Sequence, residues 1–139
     1  ALQNLVQNLY NGTASGSPTF TADQGYTGTD ASTTIFIDTA FNPTTASSPQ
    51  FVQDSCHLAV WNNTNSQSSA SGGTPIGNYG GGANDIMQLS IRYSSGNSEA
   101  HMGGFGDPPT FVDGSSIGYN GGNRTANNAV DIYKNACPP

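Results

Sequence analysis

The amino-acid sequence predicts an α+β domain in which an antiparallel β-sheet carries packed N- and C-terminal helices, as in an α/β/α sandwich. Apolar residues recur with helical spacing near both chain ends, whereas two central segments alternate between apolar and polar residues. The alternative is an all-β sandwich, which requires that one or both terminal patterns be misleading. At 139 residues, we expect residues 1–139 to form a single domain.

The N-terminal element is predicted to be a helix over residues 2–10. Its apolar residues follow the i, i+3, i+4, i+7 spacing of one helix face, and Asn11-Gly12 suits a left-handed helix end. After a stretch rich in Gly, Ser and Thr, the β-branched and aromatic residues 33–37 predict the first strand.

Two longer strands are predicted in the middle of the chain, over Phe51–Trp61 and Ile86–Tyr93, because alternate residues separate into two faces. The Gly-rich segment 62–83 between them predicts a long loop or a hairpin extension. In the first strand one face carries Val52, Cys56, Leu58 and Val60, and the other carries Phe51, His57, Ala59 and Trp61. In the second strand Met87, Leu89, Ile91 and Tyr93 oppose Gln88, Ser90 and Arg92.

The last part of the chain is predicted to be a loop followed by a helix. Residues 103–122 are rich in Gly and favour irregular structure with one short edge strand. Thr125 is then a suitable helix N-cap, and Pro138-Pro139 ends the helix. The helical spacing is carried by Ala126, Ala129, Val130 and Tyr133.

Several features are typical of a secreted glycoprotein. Only 9% of the residues are charged, and the chain begins at Ala1 without a leader, so we expect that a secretion signal has been removed. The two cysteines, Cys56 and Cys137, predict a disulfide that pins the terminal helix to the second strand. Sequons at Asn11, Asn62 and Asn123 predict N-glycosylation and a eukaryotic, secretory origin.

Charge and motifs disfavour several function classes. A net charge of −6 with three basic residues disfavours nucleic-acid binding and attraction to anionic membranes. No apolar run reaches the ~20 residues needed to span a bilayer. No phosphate-binding Gly loop with its Lys, HExxH, nucleophile elbow or CxxC pair occurs, so we expect no cofactor.

An acid–base enzyme is the second functional hypothesis. His57, Arg92, Glu99 and His101 combine two imidazoles, a guanidinium and a carboxylate, which can catalyse phosphodiester or ester hydrolysis if they converge. In residue types and rough order, this set resembles the small guanyl-specific fungal ribonucleases, in which case RNA would be the substrate. A metal site formed by Asp107 and Asp113 with Glu99 and His101 is a weaker alternative.

Glycan binding is the leading hypothesis, because it requires only an aromatic plane beside amides, hydroxyls and carboxylates. Trp61 lies at the start of the long loop, with Tyr79, Asn84 and Asp85 near its other end. If the two central strands pair, His57 and Arg92 share a face with Trp61. An N-glycan at Asn62 would then crowd this site.

In size, acidity and its Gly-, Ser-, Thr- and Asn-rich composition, the whole chain resembles the small secreted lectins and immunomodulatory proteins of mushrooms. The resemblance implies a fungal protein that recognises glycans or glycoproteins, and an α/β/α sandwich that dimerises through its sheet. A third hypothesis is a non-catalytic cell-wall or effector protein that binds another protein or itself, as a homodimer, at a sheet edge.

Overall fold

The structure is a computed structural model that describes residues 9–27, 34–43, 45–46, 51–52, 54–65, 76–79, 86–93, 97–102, 110–112, 114–127 and 129–135. All regular structure in these ranges is β-strand, so the all-β alternative is confirmed and the α+β prediction is wrong. None of these ranges contains a helix long and apolar enough to cross a membrane. The strands are β1 (Thr13–Ser15), β2 (Thr19–Thr21), β3 (Gly25–Thr27), β4 (Phe36–Asp38), β5 (Cys56–Asn62), β6 (Ile76–Tyr79), β7 (Ile86–Tyr93), β8 (Asn97–Met102), β9 (Thr110–Val112), β10 (Gly118–Ala126) and β11 (Ala129–Lys134).

The chain divides into two compact units, Ala1–Pro49 and Gln50–Pro139. In the first unit, β1 pairs with β4 and β2 pairs with β3, both antiparallel. The strand predicted over residues 33–37 begins only at Phe36. Residues 2–8 of the predicted N-terminal helix lie outside the described residues, and Leu9 and Tyr10 form a bend.

The second unit contains two antiparallel sheets, with strand orders β11-β10-β5 and β6-β7-β8-β9. Their inward faces share one core, so this unit is a β-sandwich. The sheets approach closely at Gly122 of β10, where a Cβ atom would lie only 2.8 Å from the Cβ of Ala100 on β8. The buried apolar residues of the core are Cys56, Leu89, Ile91, Ala100, Met102 and Val130.

The C-terminal helix prediction is wrong, because residues 129–134 form β11. The helical spacing counts Ala129 as a core residue, yet Ala129 is exposed. Val130 is buried and Ile132 packs against the core, which is the period of two expected for a half-buried strand. Antiparallel pairing with β10 therefore overrides the apparent helical stripe.

The central strand predictions are largely confirmed. β7 has the predicted bounds, and β5 begins five residues later than predicted but keeps the expected alternation, with Leu58 and Val60 packed on the core and Trp61 exposed. The long loop between them contains β6, which pairs with β7, and β9 is the predicted edge strand. The first part of β10 lies in the segment predicted to be an irregular loop.

The side chain of Arg124, on β10, is buried in this unit, at 1% exposure. Its guanidinium donates hydrogen bonds to the backbone carbonyls of Met102, Ala126 and Asn127, and forms a 3.0 Å ion pair with Asp54. A buried guanidinium is tolerated only when its donors are satisfied in this way.

Candidate functional site

The outward face of the β11-β10-β5 sheet carries its polar and aromatic side chains in ordered rows. Directly opposite residues of antiparallel strands point to the same side of the sheet. The register places His57, Asn123 and Asp131 in one row, Ala59, Gly121 and Tyr133 in the next, and Trp61 opposite Tyr119 in the third. These eight residues are called the aromatic face below.

Trp61 is the most exposed aromatic residue of this face, at 65%. Its indole Nε1–H donates a 2.9 Å hydrogen bond to Oδ1 of Asn63, two residues along the chain. The hydrogen bond fixes the orientation of the ring without covering its plane. A rigid aromatic plane is therefore presented to solvent.

Tyr119 and His57 form a second ordered pair on the same face. Their rings are stacked, with centroids 6.4 Å apart and planes inclined by 17°, and the Tyr119 hydroxyl lies 2.8 Å from Nε2 of His57. Gly121 permits this arrangement, because a Cβ there would lie 2.7 Å from the Tyr119 hydroxyl and 3.0 Å from its ring carbons. The missing side chain lets the tyrosine reach across one row to the histidine.

The aromatic face carries little charge. Asp131 is its one carboxylate and lies 3.5 Å from the Tyr133 hydroxyl. All three basic side chains of the protein bond elsewhere: Arg124 is buried, Lys134 donates to the Ser115 carbonyl at 2.8 Å, and Arg92 donates to Asn65 at 2.8 Å. The face therefore has no Lys or Arg side chain to attract phosphates or other anions.

Arg92, a predicted catalytic and binding residue, lies at an irregularity of β7 and has a positive φ of 50°. The Asn65 oxygen that accepts its hydrogen bond also accepts one from the Ser116 backbone N–H at 3.0 Å. Arg92 thus ties β7 to the turn after β5, and Asn65 of that turn also holds the segment before β10.

The predicted catalytic residues do not all converge. On β8, Oε2 of Glu99 lies 3.4 Å from Nε2 of His101. Their strand positions alternate with the buried Ala100 and Met102, so they lie on the outward face of the four-stranded sheet. His57 lies on the outward face of the other sheet, on the opposite side of the sandwich.

The predicted ligand-binding set is also divided. β5 pairs with β10, whereas β7 pairs with β6 and β8, so Arg92 does not share the face of His57 and Trp61. Tyr79 ends β6 in the four-stranded sheet. Asn84, Asp85, Asp107, Asp113 and Cys137 lie outside the described residues, so the Cys56–Cys137 disulfide stays a prediction. Within the ranges described, no three His, Cys, Asp or Glu residues gather as metal ligands.

The three sequons occupy different surroundings. Asn11 is exposed in the first unit. Asn62 follows Trp61 and takes the register position of the inward-facing residues of β5, whereas Asn123 belongs to the aromatic face. The crowding predicted for an N-glycan at Asn62 stays a prediction, and the register adds Asn123 as a second sequon beside the same side chains.

The sequence reasoning missed Tyr119, Asn123, Asp131 and Tyr133 as partners of Trp61. The available signal was the alternation of Tyr119, Gly121 and Asn123 in one segment and of Asp131 and Tyr133 in the next. Glycines obscure this alternation in the first segment, and an apparent helical spacing obscures it in the second. No protein-family model, curated protein or solved structure matches this chain.

Proposed function

We propose that this protein binds carbohydrate, in the manner of a lectin, and that the aromatic face holds the sugar. The observation that carries the proposal is Trp61, whose indole is 65% exposed and yet fixed by Asn63. One side of a sugar ring is rich in C–H groups, which pack against an aromatic plane. Because the indole is already ordered, binding costs little side-chain entropy.

The polar groups around Trp61 supply the second requirement, which is hydrogen bonding to sugar hydroxyls. The Asn123 amide donates and accepts, the Asp131 carboxylate accepts, and the Tyr133 hydroxyl does both. The face extends four residues along β5, or about 14 Å, and about 10 Å across three strands. This area suits a short oligosaccharide better than a single sugar.

The charges favour neutral sugars. Asp131 repels carboxylated and sulfated glycans, and the protein's basic residues bond elsewhere. His57, Trp61 and Asp131 are exposed, so we expect little of the ligand to be buried. We therefore expect dissociation constants on the order of 0.1–1 mM for one short neutral oligosaccharide.

The test is a titration of unglycosylated protein with chitotetraose, cellotetraose, laminaritetraose and a mannose-rich N-glycan. Trp61 is the sole tryptophan, so a change in intrinsic fluorescence reports on this site directly. Phe20 of the first unit is an exposed aromatic residue at 58% and provides a matched control. Trp61→Ala lacks this fluorophore, so the variants are compared with wild type by titration calorimetry. Binding that is lost in Trp61→Ala and kept in Phe20→Ala supports the proposal; no binding to any of the four sugars contradicts it.

Acid–base hydrolysis is the second candidate, and the contact between the side chains of Glu99 and His101 favours it. The two side chains are about one-fifth exposed, and Ser90 lies directly opposite Glu99 on β7. His57 has no part in this version. Hydrolysis of RNA or of a model ester that disappears in His101→Gln would support it, whereas hydrolysis unchanged by that substitution would remove the pair from the reaction.

A further inference from the structure

Asn123 occupies an unusual place for an N-glycosylation acceptor. It lies on β10, the central strand of its sheet, directly between His57 on β5 and Asp131 on β11. Asn123 is half-buried and Thr125, which completes the sequon, is exposed. A glycan attached here leaves the protein from the middle strand of the aromatic face rather than from a loop.

We infer that N-glycosylation of Asn123 blocks the aromatic face with the protein's own glycan. The inference rests on the proposed function, because the attached sugars are themselves neutral and have the chemistry that the face would bind. Occupancy of this single sequon would then divide the protein into a binding form and a masked form.

The distances make this masking physically reasonable. Successive rows of the face are two residues apart, about 7 Å, so Trp61 lies about 14 Å along the strands from the row of Asn123. The first sugars of a glycan on Asn123 lie beside His57 and Asp131 and extend over the neighbouring rows. Even without a fixed contact, their bulk excludes an external oligosaccharide from the hydrogen-bonding groups of that row.

Attachment also favours the protein's own glycan over external ones. A ligand held by a short flexible link has an effective concentration on the order of millimolar. This equals or exceeds the dissociation constants of about 0.1–1 mM expected for the face. An external oligosaccharide must compete with it, so we expect affinity to fall roughly 2- to 10-fold on glycosylation of Asn123.

The other two sequons provide internal controls. Asn62 takes an inward-facing register position, and Asn11 belongs to the other compact unit. Glycans on these residues do not start from the aromatic face. Removal of either sequon should therefore leave the masking unchanged.

The experiment compares protein from bacteria with protein from a glycosylating eukaryotic host, using the same four sugars as probes. Thr125→Ala removes the sequon but keeps Asn123, and Asn11→Gln is the matched control. Intact mass and glycopeptide analysis give the occupancy of each sequon. We expect the bacterial wild-type and Thr125→Ala proteins to bind equally, and eukaryotic wild-type protein occupied at Asn123 to bind roughly 2- to 10-fold more weakly. In the eukaryotic host, Thr125→Ala should restore binding and Asn11→Gln should not.

Each failure has a distinct meaning. If the bacterial protein binds none of the sugars, the proposed function is wrong. If the bacterial protein binds, but protein occupied at Asn123 binds equally well, the masking alone is wrong. Masking is also overturned if Asn123 carries no glycan in the eukaryotic host.

Discussion

Gly121→Ala should disturb the arrangement of the aromatic face and leave the stability of the fold nearly unchanged. The new Cβ would lie 2.7 Å from the Tyr119 hydroxyl, and this atom is the far end of a side chain that can rotate away. Rotation breaks the 2.8 Å contact with His57 and leaves the tyrosine ring disordered. Alanine nevertheless fits the backbone, because Gly121 is not among the residues with positive φ.

The expected magnitudes follow from these contacts. Loss of a part-exposed hydrogen bond costs about 0.5–1.5 kcal/mol, and replacing Gly by Ala in a strand returns about 0.5–1 kcal/mol of backbone entropy. The free energy of unfolding should therefore change by less than about 1 kcal/mol. Binding must then order Tyr119 again, which costs about 0.5–1.5 kcal/mol and weakens sugar affinity roughly 3- to 10-fold.

The assay combines urea unfolding with a fluorescence titration by the best of the four sugars. Gly114→Ala is the matched control, because a Cβ at Gly114 meets no atom of the described residues within 4 Å. An unchanged sugar affinity in Gly121→Ala would refute the idea that Tyr119 is held in place for binding. A large loss of stability would refute the assignment of Gly121 to the outward face.

The remaining predictions concern the sandwich itself. Gly122→Ala should destabilise the protein by about 1–3 kcal/mol in urea unfolding, because its Cβ would lie 2.8 Å from that of Ala100 in the core, and Ala100→Gly should rescue it. Arg124→Met should cost about 1–3 kcal/mol, because the buried Met102 carbonyl loses its hydrogen-bond donor, whereas the half-exposed Asp54 carboxylate is solvated by water; an unchanged unfolding midpoint would contradict the structural role of this residue. Burial raises the pKa of the Cys56 thiol above its usual value, although Arg124 opposes the shift. The folded state of the reduced chain then retains a proton that the unfolded state loses, so the free energy of unfolding should fall as the pH rises above about 9. Oxidised chain with the predicted disulfide should show no such loss.

The parts of the fold that sequence predicted well are those where burial dictates alternation. Leu58 and Val60 face the core from β5, and Leu89 and Ile91 do so from β7, so hydrophobic periodicity alone identifies both strands. In β11 the same rule is ambiguous, because Val130 and Tyr133 fit a helical stripe while Val130 and Ile132 fit a strand. Tertiary pairing with β10 decides between them.

β10 was hidden for a different reason. Gly121 and Gly122 have low strand propensity, but each face of the sheet needs a residue without a side chain at this point. On the outward face the side chain of Tyr119 passes over Gly121, and on the inward face Ala100 approaches Gly122. Such close approaches between distant segments are invisible in a single sequence. The candidate site was therefore predicted only in part: Trp61 and His57 share a face as expected, but their neighbours come from β10 and β11 rather than β7.

The most direct measurement is the affinity of Trp61→Ala for the sugar that the wild-type protein binds best. The indole exposes 65% of a surface of up to ~250 Å², or about 160 Å², of which a sugar covers about half. At ~25 cal/mol per Å², this contact contributes about 2 kcal/mol, so affinity should fall roughly 30-fold while the urea midpoint stays within error of wild type. Undiminished sugar binding by Trp61→Ala would contradict the aromatic face as the binding site.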